Sequence, residues 1–398
     1  MKIINRNSYL EKLRRVKGTP DIKVITGIRR SGKSKLLESF IKEIKDAEID
    51  SNIIHINFND NKFEPLAEYH KLLEYVKSNF IEDKNNYLFI DEIQMCSGFE
   101  KAINSLHSSE NYDIYITGSN AFLLSSDLAT LFTGRTFEIE VYPFSYKEFI
   151  TYHQLSPSLE SYNQYLLNGG MSGSYLYKDE FDKRNYIRSV FDTLVLRDIT
   201  QKYKIRNELV FSKVTDYLID NVSNLTSIRN ISDALNNKGT KVDHKTVSKY
   251  TNYLCNAFAF YKVKRYDIQG KKYLSTTEKY YLADHSFKYA KLGTKNQDFG
   301  RLMENIVAIE LLRRGYEIYI GMLYKKEIDF VALKNDEKIY IQVSNSIDDE
   351  VTRERELDPL TRIKDSYPKI IITRTGYPEY DINGIKIIDI ADWLSKKS

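Results

Sequence analysis

The chain has 398 residues, more than one hydrophobic core serves, so two or three domains are expected. Its apolar share of 42% can fill those cores, and its 29% of charged residues suits a water-soluble surface. A net charge of +4 is small for this length and excludes bulk charge as an argument for nucleic-acid binding, leaving only local basic faces to carry one.

Between residues 21 and 149, β-branched or aromatic runs at 22–26, 52–58, 87–90, 113–117 and 137–141 alternate with amphipathic patterns at 33–45, 66–80, 100–108 and 121–131. Strands alternating with helices predict an α/β fold, a parallel sheet covered on both faces, and continuous apolar strands are what double coverage requires. From 151 to 206 the strand signals stop, and 162–168 and 185–203 read as helices on either side of Gly169 and Gly170. Residues 207–222, 227–235 and 245–258 read as three helices, followed by strands at 260–266 and 271–274. A last segment opens with a helix at 301–314 and continues through strands at 317–321, 328–333, 338–343 and 369–373. No internal repeat or low-complexity tract stands out.

The first chemical signal is Gly27-Ile28-Arg29-Arg30-Ser31-Gly32-Lys33-Ser34, which fits G-x-x-x-x-G-K-[ST] at every fixed position. Glycines let the backbone curl until its N–H groups face a phosphate at the positive end of the following helix. Lys33 would reach the β/γ oxygens, and the Ser34 hydroxyl would ligate Mg²⁺. A strand before the loop and a helix after it supply the context this motif needs. Mg·ATP is the expected cofactor.

Tyr87-Leu88-Phe89-Ile90-Asp91-Glu92 is a buried strand with two acids at its C-terminal end, where ligands bind in open α/β sheets. Asp91 is expected to hold Mg²⁺ through its water, and Glu92 to polarise the attacking water. The second acid favours a hydrolase over a nucleotide-binding switch. A third strand ends Ile116-Thr117-Gly118-Ser119-Asn120. Ser119 and Asn120 either position the water or sense the γ-phosphate, or else cap the helix at 121–131, and one residue can do both.

Together G-I-R-R-S-G-K-S, Y-L-F-I-D-E-I-Q, I-T-G-S-N and L-F-T-G-R-T followed by Y-P-F-S-Y-K-E-F resemble the AAA-type ATPases of prokaryotes that carry a C-terminal domain of unknown function. The resemblance covers most of the chain. It implies an AAA-like core with strand order 5-1-4-3-2 and an arginine finger at Arg135. From the residues alone Arg135 is an exposed basic residue before a strand. A finger acting in trans requires a homo-oligomer.

Helix, turn, helix and basic hairpin over 207–275 is the winged-helix pattern, whose third helix would enter a major groove. His244, Lys245, Ser248 and Lys249 lie on its outer face, and Lys262, Lys264, Arg265, Lys271 and Lys272 decorate the wing. These suit phosphate contacts without base reading. Ordinary solvation of exposed lysines, or a lid, is the alternative.

The final segment resembles the PD-(D/E)xK nuclease core, which needs two carboxylates for Mg²⁺ and a lysine for the water. Glu304 lies on its helix and Asp329 matches the first acid, but Gln342 stands where the second acid belongs and Ser344 where the lysine belongs. Lys369 or Arg374 would have to supply the cation. Nuclease activity is therefore not expected, and a DNA- or partner-binding remnant is.

Two cysteines, Cys96 and Cys255, lie far apart, which excludes a disulfide scaffold or cysteine zinc module and fits a reducing cytosol. The six histidines show no metal spacing. No run approaches the roughly 18 apolar residues of a membrane helix, and no signal-peptide pattern opens the chain. A cytoplasmic protein without membrane contact is expected. Its parts are an ATPase core (1–150), a helical lid (151–206), a winged helix (207–275) and a degenerate, restriction-nuclease-like α/β domain (276–398). ATP turnover would move a half that binds DNA or a protein partner. The competing class is a nucleotide-switched regulatory module with slow hydrolysis and no DNA. A third is an ATP-gated nuclease.

Overall fold

A computed structural model describes residues 4–118, 132, 134–270, 272–293 and 298–396. They form two compact units, one ending at Val141 and one beginning at Tyr142.

The first unit is built on β1 (Ile22–Thr26), β2 (Asn52–Asn57), β3 (Asn86–Asp91), β4 (Asp113–Thr117) and β5 (Thr136–Glu140). All neighbours are parallel, in the order β2-β3-β4-β1-β5. This is the order that the resemblance implied. Successive strand side chains point to opposite faces, and the sequence divides accordingly. Leu88 and Ile90 of β3 join one core with Leu72, Val76, Ile103 and Leu106, from α3 (Tyr69–Ser78) and α4 (Phe99–Ser108). Tyr87 and Phe89 join the other, with α1 (Asn7–Val16) and α2 (Lys33–Ala47). Each fully buried Leu or Phe contributes about 1.5–3 kcal/mol. Truncating Phe89, which stacks on Tyr115 at 4.7 Å between ring centroids, would cost about 3–5 kcal/mol. α1 was not foreseen, although Tyr9, Leu10, Leu13 and Val16 bury one helical face. The helix expected at 121–131 lies outside the described residues.

The second unit begins with helices Tyr146–His153, Leu159–Asn168 and Glu180–Asp192, the first opened by a capping box of Ser145 and Glu148. The helix expected over 185–203 starts earlier, and after Asp192 it loosens into π-helical turns over Thr193–Ile199. Helices Glu208–Asp220, Ile228–Asn237 and His244–Asn256 follow, each with its N-cap side chain (Asn207, Ser227 or Asp243) accepting a backbone N–H. The segment expected as a lid groups with this unit.

β6 (Phe260–Asp267) and β7 (Lys272–Leu282) form the expected hairpin, but β7 is far longer than expected, so the anticipated boundary at 275/276 falls inside it. The hairpin also joins a larger sheet, because β6 pairs in parallel with β8 (Glu317–Leu323). Pairing satisfies an edge that a free hairpin would leave open. β9 (Lys326–Lys334), β10 (Glu337–Ser344), β11 (Lys369–Thr373), β12 (Tyr380–Ile382) and β13 (Ile385–Asp389) complete the order β12-β13-β11-β10-β9-β8-β6-β7. Helix Phe299–Arg313 packs on one face against Ile320, Phe330 and Ile341, and helix Glu350–Thr361 on the other against Val331, Tyr340 and Ile371.

Candidate functional site

After β1 the chain turns at Gly27, whose φ is 130°. A Cβ there would lie 2.2 Å from the Val141 carbonyl oxygen, so only glycine fits. Arg30 (φ 62°) and Gly32 (φ 96°) are also left-handed, and Gly32 stands at the N-cap of the 15-residue α2. The loop therefore curls over the positive end of a helix, the geometry that holds phosphate. Arg29 is half-buried, Arg30 exposed and Ser34 half-buried along this turn.

Lys33 is buried, and its Nζ donates to the carbonyls of Gly27 (2.9 Å) and Ile28 (3.1 Å). Burial pulls its ammonium below the ordinary lysine pKa, while Glu92 and then Asp91 oppose that shift. Both acids thus lie close enough to act on it. Ser31 Oγ is buried and has no hydrogen-bond partner among the described residues. Buried hydroxyls are seldom left so, and a phosphate oxygen on the loop would give it an acceptor. The Ser31 carbonyl accepts from Arg6 Nη1 at 2.9 Å, and buried Arg6 also lies over the Tyr9 ring. Nothing in the loop motif flagged Arg6, because the contact spans 25 positions.

Asp91 closes β3 almost without exposure, and Glu92 follows in a left-handed conformation (φ 56°, ψ 48°). Thr117, the last residue of β4, links the two. Its hydroxyl donates to Asp91 Oδ1 and accepts the Glu92 N–H at 3.2 Å. Sequence reasoning passed over Thr117 for Ser119 and Asn120, which lie outside the described residues. The available signal was a polar residue closing an otherwise apolar strand. Gln94 was missed as well, and its Nε2 donates to Glu92 Oε2.

Arg135 is exposed, and its carbonyl accepts the N–H of Ile22 at 2.8 Å, where β1 begins. The phosphate loop lies at the other end of β1, and a strand rises about 3.3 Å per residue. The backbone thus sets Arg135 the length of a strand away from its own chain's loop.

In the second unit His244, Lys245 and Lys249 are exposed and Ser248 is half-buried on helix His244–Asn256. Lys264 is exposed on the hairpin, while Arg265 donates to Thr277 and Lys262 pairs with Glu278 at 3.5 Å. Lys271 lies outside the described residues, and Lys272 opens β7.

The nuclease-like positions converge in part. Glu304 and Asp329 meet around Lys279 of β7, whose Nζ lies 2.7 Å from Glu304, 2.7 Å from Glu327 and 3.7 Å from Asp329. Tyr281 donates to Glu304 at 2.7 Å, and Asp329 accepts the Val343 N–H at 2.8 Å. Gln342 adjoins the cluster but donates to Glu356 at 2.8 Å. Ser344 donates to the Ser346 carbonyl in its own loop. The expected substitutes for the missing cation are engaged elsewhere, Lys369 with the Asp365 carbonyl and Arg374 with Asn345 and Asn163. The cation that does lie among these acids is Lys279, and it escaped notice because β7 was expected to end before it. Burial alone would lower the Lys279 ammonium, but Glu304, Asp329 and Glu327 together raise it. Burial pushes the Glu304 and Asp329 carboxyls up, since one buried cation cannot neutralise three acids. Among the described residues no group of three or more His, Cys, Asp or Glu is placed to hold a metal ion. Nor is any described helix long and apolar enough to cross a membrane.

Loop, paired acids and sheet order define a nucleotide-binding P-loop protein of AAA type. Residues 19–150 match the AAA domain family, and residues 159–298 match a domain of unknown function (DUF8612). The chain is 40% identical over 400 residues to an uncharacterized protein of Haemophilus influenzae, with 98% of each covered. It is 30% identical over 374 residues to an uncharacterized protein of Methanocaldococcus jannaschii, covering 89% of this chain and 80% of that one. The chain belongs to the family that these proteins represent, with an AAA domain followed by DUF8612. Among solved structures it is similar to AMPPCP-bound DnaA from Aquifex aeolicus (20% identity, 63% of this chain, 87% of that one, TM-score 0.31). It is also similar to ORC1 of Aeropyrum pernix in complex with DNA (11% identity, 79% and 94%, TM-score 0.31). At these scores neither likeness bears on what this chain binds.

Proposed function

We propose that the chain binds Mg·ATP at residues 27–34 and hydrolyses it with Glu92 as general base. What carries the reading is the gathering of Lys33, Asp91, Glu92 and Thr117 at the C-terminal ends of three adjacent strands, β3, β4 and β1. The N–H groups of the curled loop bind phosphate oxygens, and Lys33 exchanges the Gly27 and Ile28 carbonyls for the β/γ oxygens. Ser31, with its unmatched hydroxyl, gains a phosphate partner. Ser34 and Asp91 would hold Mg²⁺, which neutralises phosphate charge when bound. Thr117 fixes Asp91 and the Glu92 backbone, so that Glu92 can take the proton of the attacking water. Arg135 serves a neighbouring copy rather than its own loop, which makes the active form a homo-oligomer.

We assign the three helices between Glu208 and Asn256, with the β6–β7 hairpin, to a winged helix whose Lys245, Lys249 and Lys264 meet DNA phosphates. The nuclease-like centre has no nuclease activity in this account, because Lys279 is already held among the acids that would hold a metal. Nucleotide state then governs what the second unit binds. One observation favours a partner switch without DNA: Lys262 and Arg265 on the hairpin are engaged by Glu278 and Thr277 and are less available to phosphate. ATP turnover with and without duplex DNA separates the two. A DNA-acting ATPase is stimulated several-fold, whereas unchanged turnover leaves the partner switch.

A further inference from the structure

Gln94 stands in the short turn Ile93–Met95 directly after Glu92. The left-handed Glu92 bends the chain back, and the Met95 N–H bonds to the Glu92 carbonyl at 3.0 Å, which sets side chains 92 and 94 against each other. Fully buried Ile93 anchors the turn in the core. Gln94 Nε2 donates to Glu92 Oε2, and the reversed amide would set a carbonyl oxygen against a carboxylate. Its Oε1 is buried and has no hydrogen-bond partner among the described residues. Glu92 is the foremost acid acting on Lys33, so the carboxylate held by Gln94 lies on the side of the phosphate loop.

We propose that Gln94 is a positioning residue for the hydrolytic water: its N–H fixes one oxygen of Glu92, and its buried carbonyl oxygen accepts a hydrogen of that water. This rests on the hydrolytic reading of Glu92. The water oxygen attacks the γ-phosphorus and passes one proton to the free oxygen of Glu92. The other hydrogen stays directed at Gln94. The bond from the γ-phosphorus to the bridging oxygen breaks, and its electron pair leaves with ADP. A water held by two acceptors presents its lone pair along one line, which is where orientation contributes to rate.

The test compares wild type, Glu92→Gln, Gln94→Met and Gln94→Glu in the full chain, measuring kcat, KM, ATP affinity and the pH profile. Gln94→Met keeps the side-chain length without the amide. Its kcat should fall about 10–100-fold while KM and ATP affinity stay within about twofold. Unchanged affinity also reports an intact loop. Gln94→Glu should be impaired near about pH 8 and regain activity relative to wild type toward about pH 6, where the new carboxyl is protonated and donates again. A merely structural role moves no pH profile. Wild-type kcat in Gln94→Met, a change in KM alone, or a Gln94→Glu profile parallel to wild type overturns the proposal. If Glu92→Gln is inactive and Gln94→Met is unimpaired, only the role of Gln94 falls. If wild type does not hydrolyse ATP, or Glu92→Gln hydrolyses it at the wild-type rate, the hydrolytic reading falls and this inference with it.

Discussion

The two units each gather acids around a lysine, and they do so to opposite ends. In the first, Lys33 bonds to the carbonyls of Gly27 and Ile28, partners it can exchange for phosphate oxygens, and the nearby Ser31 hydroxyl has no partner among the described residues. In the second, Lys279 is held by carboxylates of Glu304, Glu327 and Asp329, partners that no neutral ligand can replace without leaving buried charge. A lysine held by carbonyls is ready for an anion. A lysine held by carboxylates has already found one.

Substitution of the two lysines should therefore break different properties. Lys33→Ala should lower ATP affinity by about 100-fold or more in a nucleotide titration, with little effect on the fold. Mixing it with Arg135→Ala protein, itself inactive, should restore some turnover, since a mixed interface pairs one intact loop with one intact finger. A monomer that still hydrolyses ATP would remove Arg135 from the site.

Lys279→Met should act on stability and not on nucleotide affinity. Removing one partner of a buried ion cluster costs about 3–5 kcal/mol, read from denaturant melts of the second unit. The loss has a sign in pH. Burial already raises the Glu304 and Asp329 carboxyls, and without the ammonium they rise further. A carboxyl raised in the folded state favours folding as pH falls, so the deficit should be largest above neutrality and shrink toward about pH 5. A deficit that is constant with pH would mean that the cluster is not held by charge.

The smallest effect is expected where the lysines are exposed. Replacing Lys245 and Lys249 together should weaken duplex binding about equally across sequences and flatten the log–log salt slope by roughly two units. Binding that is absent at low salt, or insensitive to salt, would remove DNA from the account and leave the partner switch.

Legibility in the sequence followed the same division. The parallel sheet of the first unit was readable strand by strand, because doubly covered strands are apolar throughout and the phosphate loop is contiguous. Thr117 and Gln94 were harder to find, since their importance lies in contacts with Asp91 and Glu92 rather than in a motif. In the second unit most strands and the helices that were read fell within a few residues of their places, but helices Tyr146–His153, Ser286–Leu292, Glu350–Thr361 and Ile390–Ser395 and the strands β12 and β13 were not read. The centre was not read either, because Lys279 reaches it from a β7 that continues through polar residues into Tyr280, Tyr281 and Leu282, where a wing was expected to stop. Glu327 and Glu356 were passed over as well, since the sheet brings Glu327 of β9 to Lys279 and helix Glu350–Thr361 brings Glu356 to Gln342.

Whether Glu92 is the base of an ATPase site is decided by Glu92→Gln. ATP binding and ATP turnover should be measured on the same preparation of wild type and variant. The variant should bind ATP as tightly as wild type and lose turnover by about 100-fold or more, because the amide cannot take the water's proton. Turnover at the wild-type rate in a variant that binds ATP normally would contradict that role of Glu92.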